Sequence, residues 1–305
     1  MSVLSTENFS ETGPRSLDLF SVPPTQTAIE KIIFEEVRPI SQITGNAPIE
    51  FIISGQNGMQ YVDLKHSKLQ VKAKIRKSDG TNLGATEYVG PVNLFMSSLF
   101  SQVDLTLQSK TVTSTTNHYP YKAIIQSLLC YGSGAKKSQL SGQIWANDPE
   151  GTLNVNDVKT GANTGLFERS EYFAESKLVD MEGQIFHDLF NLDRYILNQV
   201  AIGVKMYRSK PEFCLITNEK ATGKWLHNSD NGLTRKSISG GYALYCYTIE
   251  PNFGDDGNYL TLLKQGNVRL EATFGTALPA STSCIVYAEY PGYFEISASR
   301  DIILE

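Results

Sequence analysis

Four histidines, His66, His118, His187 and His227, and four cysteines, Cys130, Cys214, Cys246 and Cys284, are the side chains best suited to bind a metal or attack a substrate. Their spacing suits neither task. No H-x-x-x-H or H-E-x-x-H run sets two imidazoles on one helical face, and no C-x-x-C pair brings two thiolates together. Cys214 in PEFCLI, Cys246 in YALYCYTI and Cys284 in STSCIVYA stand in apolar, strand-like runs, where a free thiol acts as a small buried hydrophobe. His187-Asp188 reads as a satisfied surface or loop histidine. Gly132-Ser-Gly134-Ala-Lys136-Lys137-Ser138 approaches a phosphate loop, but Lys136 stands where the motif needs glycine, and the run follows a helix rather than a strand. Asp255-Asp256-Gly257-Asn258 lacks the alternating acidic spacing and closing Glu of a calcium loop, so it reads as a solvated turn. No G-x-S-x-G elbow is present. Catalytic, cofactor-binding and metal-binding residues are therefore not expected, and neither is enzymatic activity.

The elements that would carry any site are mostly strands. In KLQVKAKI, Leu69, Val71, Ala73 and Ile75 alternate with Lys68, Gln70, Lys72 and Lys74. Val103, Leu105 and Leu107 alternate in SQVDLTLQ, as do Val200, Ile202, Val204 and Met206, and again Val268, Leu270, Ala272 and Phe274. Period-two patterning predicts half-buried antiparallel strands, each with one dry and one wet face. Short apolar runs at Ile32-Ile33-Phe34 and Phe51-Ile52-Ile53 add to these, and Asp79-Gly80 marks a turn. Two helices are expected. One covers 91–100, opening on Pro91 with Val92, Phe95, Met96 and Leu99 on one face; the other covers 119–131, with Tyr121, Ile124, Ile125, Leu128 and Leu129 inward and Gly132 as its stop. Many short strands with a few loop helices predict an all-β jelly-roll barrel or sandwich.

A weak repeat supports a division. Val200 precedes Pro211 and Val268 precedes Pro279 by the same number of residues, each pair followed by an apolar run. The expected organisation is an extended arm at 1–27, a complete jelly roll at 28–216, a polar linker at 217–240 and an incomplete second jelly roll at 241–305. On the arm, Leu17, Leu19 and Phe20 are stranded apolar residues that pack either on their own domain or on a neighbouring subunit. In the last segment, four strand runs leave a dry face including Val268, Leu270 and Phe274, which must be covered by the first barrel or by another subunit.

Charged residues are 19% of the chain, below the ~25% common in soluble domains. The 27 Lys and Arg against 32 Asp and Glu give a net charge of −5, which argues against a dedicated nucleic-acid binder. The lysine face of 68–75 reads as solvated. No apolar run reaches the ~18 residues of a membrane span, and the N-terminus lacks a basic start followed by an apolar stretch, so no signal peptide is expected. Fifteen tyrosines, concentrated at 119–121, 242–247 and 287–293, suit either an aromatic β core or an interface.

Several long blocks resemble one family: SLDLFSVPPTQTAIEKIIFEEVRPISQITGNAPIEFIISG, YVDLKHSKLQVKAKI, NLFMSSLFSQVDLTLQSKTV, NHYPYKAIIQSLLCYGSGAKKSQL, RSKPEFCLI, GYALYCYTIEP and GNVRLEATFGTALPASTSCIVYAEYPGYFEISASRDIIL. They are similar to the hexon-like, double-jelly-roll major capsid proteins of Maverick/Polinton elements and adintovirus-type DNA viruses. The resemblance covers roughly half of 16–216 and most of 241–304. It implies a structural protein with two jelly rolls, self-assembling into homotrimeric capsomers that tile an icosahedral shell beside other capsid proteins such as a penton-type protein. It further implies a virion location, with synthesis in the host cell, and it carries over no catalytic residue, cofactor or metal. The chain departs from the family where most of the second barrel belongs, since only 217–240 lies between the PEFCLI and GYALY blocks. The alternative is a domesticated β-sandwich module that recognises protein or glycan without building a shell.

Overall fold

Alternation along 100–107 and 200–206 becomes the centre of a four-stranded antiparallel sheet. The structure is a computed structural model that describes residues 29–40, 47–54, 60–113, 117–153, 155–216, 269–271, 284–288 and 294–304, with single residues 25, 27, 43, 273, 275 and 277. Its strands are β1 (Ile49–Ile53), β2 (Leu69–Ala73), β3 (Gly90–Pro91), β4 (Phe100–Leu107), β5 (Lys110–Thr111), β6 (Val179–Gly183), β7 (Ile202–Arg208), β8 (Leu215–Ile216), β9 (Phe294–Ile296) and β10 (Ile302–Leu304). The helices are α1 (Phe95–Ser98), α2 (Tyr119–Cys130), α3 (Ser133–Ser138), α4 (Thr164–Tyr172) and α5 (Pro211–Cys214). The described chain is thus β-rich, with several small antiparallel sheets and short helices. One sheet has the order β1-β7-β4-β5; the others are the pairs β2–β6, β3–β8 and β9–β10.

The chain divides into two compact units, Met1–Glu36 with Cys246–Ile285 and Val37–Tyr245 with Val286–Glu305. Every described strand and helix belongs to the second. In the first, the described residues form neither strand nor helix, so Ile32-Ile33-Phe34 is not a strand.

Register explains the main core. Ile49, Phe51 and Ile53 of β1 lie opposite Met206, Val204 and Ile202 of β7, which in turn oppose Val103, Leu105 and Leu107 of β4. Side chains directly opposite on an antiparallel pair share a face, so these three apolar rows make one dry surface. It packs with Tyr119, Ala123 and Leu128 of α2, and with Phe186, Leu189, Phe190 and Ile302. The opposite face carries a row of charge: Glu50 and Asp104 flank Lys205, with Lys205 Nζ 2.7 Å from Glu50 Oε1. Asp104 is buried there, and Gln102 Nε2 donates to both of its oxygens at 2.8 and 2.9 Å. A second cluster joins Ile75, Leu83, Phe95, Met96, Ile144, Phe173, Met181 and Cys214 beside the β2–β6 pair.

The helix expected at 91–100 is shortened at both ends. Pro91 is in β3, opposite Leu215, and Val92 N–H donates to Cys214 O at 2.9 Å. Leu94 takes a left-handed conformation (φ 56), with Asn93 Oδ1 accepting its N–H at 2.9 Å, so the helix starts only at Phe95. Long-range pairing overrides the local signal here. Helix α2 forms where expected, but its buried side is Tyr119, Pro120, Ala123, Ile125, Ser127 and Leu128, while Leu129 is exposed. The chain turns into α3 directly after Gly132.

Candidate functional site

The densest polar cluster in the described chain surrounds Arg169 of α4. Its Nε donates to Pro91 O at 2.9 Å, its Nη1 donates to Ala146 O at 3.0 Å, and its Nη2 is 2.9 Å from Asp148 Oδ1. Asn93 donates from Nδ2 to Ala146 O at 2.6 Å and to Asp148 Oδ2 at 3.2 Å, and its Oδ1 accepts Ala146 N–H at 3.2 Å. Helix α4 can bring Arg169 this deep because Gly165 carries no Cβ; one added there would lie 2.4 Å from Asn147 O. Arg169 and Asp148 are almost wholly withdrawn from solvent, so no substrate reaches them. The cluster ties β3, the 146–148 segment and α4 together, which is a structural task.

The histidines, cysteines and lysines singled out by type take similar roles. His187 is half-buried and accepts Leu189 N–H on Nδ1 at 3.1 Å, capping a short helical turn. Burial, helped by the Lys122 charge, lowers its pKa to about 4, with Asp188 opposing. Lys136 is buried and donates from Nζ to Leu128 O at 3.1 Å, near the Trp145 ring; burial lowers its pKa to about 8. Cys214 is buried as expected, and its Sγ donates to Ser98 O at 3.1 Å. Cys284 is exposed, which overturns the buried reading of that thiol; the apolar neighbours that suggested burial form no strand around it. Cys246, His227 and the Asp255-Asp256 turn lie outside the described residues. Among the described residues, no group of three or more His, Cys, Asp or Glu side chains is placed to hold a metal ion, and no helix is long and apolar enough to cross a membrane. The lysine face of β2 is exposed, with Lys68 paired to Glu182 at 2.7 Å and Lys72 to Asp180 at 3.1 Å.

Of the six residues expected at a subunit contact, Leu17, Leu19, Phe20, Val268 and Phe274 lie outside the described residues. Leu270 is 57% exposed. Exposed apolar side chains not singled out as contacts also precede β1. Ile32 (72%), Ile33 and Phe34 (85%) face solvent in the first unit, and Ile40 and Ile43 do so in the second. Their apolar run was visible in the sequence, but its exposure was not, since the same pattern is typical of a buried strand.

One surface cavity has walls of mixed chemistry. Val62 and Ile196 exchange backbone hydrogen bonds, N–H to O at 3.0 and 2.9 Å. That bridge is an isolated one, followed by a turn over 65–66 on one side and preceded by a bend at 193–194 on the other. Lys65 and Asp193 form an ion pair, and Asp63 Oδ2 lies 2.7 Å from His66 Nδ1. With Leu192 these residues line a cavity of about 230 Å³. Sequence reasoning missed it, because its two walls are more than a hundred residues apart and only the Asp63–His66 spacing hinted at a pair.

No protein-family model matches this chain, and no curated protein sequence matches it.

Proposed function

We propose that this chain is a structural, non-enzymatic protein that acts by self-association, of the hexon-like double-jelly-roll capsid type. The observation that carries the reading is the exposure of Ile32, Ile33 and Phe34 on a segment with no secondary structure of its own. Large apolar side chains held in water cost about 25 cal/mol per Å², a cost removed when another surface covers them. A repeating assembly supplies such a surface from a second copy. Two further features support the reading: the β-rich, small-sheet architecture of the described chain, and the use of its most buried charged cluster for packing rather than chemistry. In this reading the strands around β1, β4 and β7 belong to a jelly roll, the chain associates as a homotrimer, and its place is the virion.

Sedimentation velocity with electron microscopy of the purified chain tests the proposal. Regular oligomers that grow with concentration are expected, and Ile32→Glu combined with Phe34→Glu should shift them to monomer without changing the melting temperature. A lasting monomer at the highest soluble concentration overturns it.

A further inference from the structure

The cavity between the 63–66 turn and the 192–195 segment brings carboxylates, an ammonium and an aromatic ring together, and its chemistry selects a ligand class. Asp63 is bonded within its own turn: Oδ1 accepts His66 N–H at 3.3 Å while Oδ2 meets His66 Nδ1 at 2.7 Å. A carboxylate has about four lone-pair sites, so Asp63 keeps acceptor capacity toward the cavity. Asp193 is held by Lys65, whose hydrogen bond and charge keep its carboxyl below the usual carboxylate range, and the ammonium has further N–H donors to offer. Acceptors beside a donor suit a molecule whose groups both donate and accept, which is the property of hydroxyls. In the same lining, the exposed ring of Tyr195 and the side chain of Leu192 supply apolar surface. A pyranose presents the matching pair of surfaces, a C–H face for the ring and hydroxyl edges for the carboxylates.

Size and charge narrow the choice. At about 230 Å³ the cavity falls below the ~300–1,000 Å³ of sites for drug-sized ligands, so the part of a ligand it encloses is about one ring. Two carboxylates against one ammonium repel phosphate and acidic sugars. We infer that this cavity is a recognition subsite for one neutral monosaccharide unit, with Asp63 and Asp193 accepting from its hydroxyls and Tyr195 stacked on its ring. The site is independent of self-association, because it is tested on the protein in any oligomeric state.

Saturation-transfer NMR on the full chain tests the inference, with methyl glycosides of glucose, galactose, mannose and N-acetylgalactosamine as probes and sialyllactose as the acidic comparison. Transfer to the ring protons of at least one neutral glycoside is expected at millimolar concentration, exceeding that to the sialic acid. Tyr195→Ala and Asp63→Asn should each weaken that binding at least tenfold while leaving the melting temperature of the protein unchanged, since the Tyr195 ring is at the surface and Asp63→Asn keeps an acceptor for the His66 N–H. Absence of transfer to every neutral glycoside overturns the inference. So does preference for sialic acid, or binding that both variants leave intact.

Discussion

Arg169 and Asp148 form an ion pair at 2.9 Å with side chains only 2% and 7% exposed, and α4 and the 146–148 segment meet through it. The pair closes a loop that starts at Asn93, whose amide holds both Ala146 O and Asp148. Removing the guanidinium leaves a carboxylate in a site closed to water. Arg169→Met is therefore expected to cost about 3–5 kcal/mol, a large part of the about 5–15 kcal/mol that stabilises a typical domain. Urea unfolding should show the midpoint fall steeply for Arg169→Met. The double variant Arg169→Met with Asp148→Leu should recover part of the loss, because it leaves no buried charge behind. Equal midpoints for Arg169→Met and the parent would show that the pair holds nothing together.

Leu105 is wholly buried and ends the cross-strand row Phe51–Val204–Leu105. Leu105→Asp puts a carboxylate where every neighbour is apolar, and should cost about 3–5 kcal/mol. Thr106→Asp, one residue along on the half-exposed face, should cost far less. The comparison by thermal melting isolates the face of the strand from its position in the chain.

His187 gives the fold a pH dependence with a definite sign. Its pKa is about 4 in the folded chain against the ordinary 6.5, so the unfolded chain takes up the proton first as pH falls. Stability from this group is complete above pH 6.5 and is lost progressively down to about pH 4, by an amount on the order of 3 kcal/mol. The physical event is protonation of Nδ1, which abolishes the acceptor for Leu189 N–H beside the Lys122 charge. Asp79, Asp157, Asp193 and Glu87 have lowered pKa values and act below their ordinary 3.8 to 4.5, so among the described groups with shifted values the histidine is the one that acts between 4.5 and 6.5. His187→Asn keeps an acceptor without titrating, and should flatten the melting temperature between pH 4.5 and 6.5. An unchanged slope in that variant would assign the dependence elsewhere.

Strand faces were legible because burial follows period two wherever one face is dry: Val103, Leu105 and Leu107, and Val200, Ile202, Val204 and Met206, are all buried. The lysines of β2 were legible for the same reason. Features set by distant partners were not. Leu94 reverses hand because Asn93 is held by Ala146, fifty residues on, and nothing local to PVNLFMSS requires it. Arg169 in the polar run ERSEY looks solvated until Asp148 and Pro91 O are found beside it. The walls of the Asp63–Tyr195 cavity are joined by the Val62–Ile196 bridge and the Lys65–Asp193 ion pair, between residues more than a hundred positions apart that show no local pattern.

Of the hairpin formed by β9 and β10, the apolar run 293–298 made β9 visible and nothing singled out β10, whose place in the main core depends on tertiary contacts. A two-stranded hairpin is marginal alone in water, so it persists only by docking. Its turn is tightly bonded, with Ser297 N–H donating to Asp301 O at 2.9 Å and Arg300 N–H donating to Ser297 O at 2.9 Å. Arg300 then reaches Asn198, Nε to O at 3.0 Å and Nη2 to Oδ1 at 2.6 Å, while Lys110 Nζ donates to Ile302 O at 2.7 Å. These bonds lodge Ile302, 1% exposed, in the same cluster as Leu105, Leu107 and Ile202. Ile302→Ala should leave a cavity there and cost about 2–5 kcal/mol. Arg300→Ala removes two hydrogen bonds at a half-buried position, worth about 1.5–3 kcal/mol each when charged and less where water replaces them, so its cost should be smaller. Ending the chain after position 293 removes both anchors and uncovers the core, so its urea transition should come earlier and broaden. A truncated chain that unfolds as late and as cooperatively as the parent would show that the core of 37–216 is complete without the hairpin.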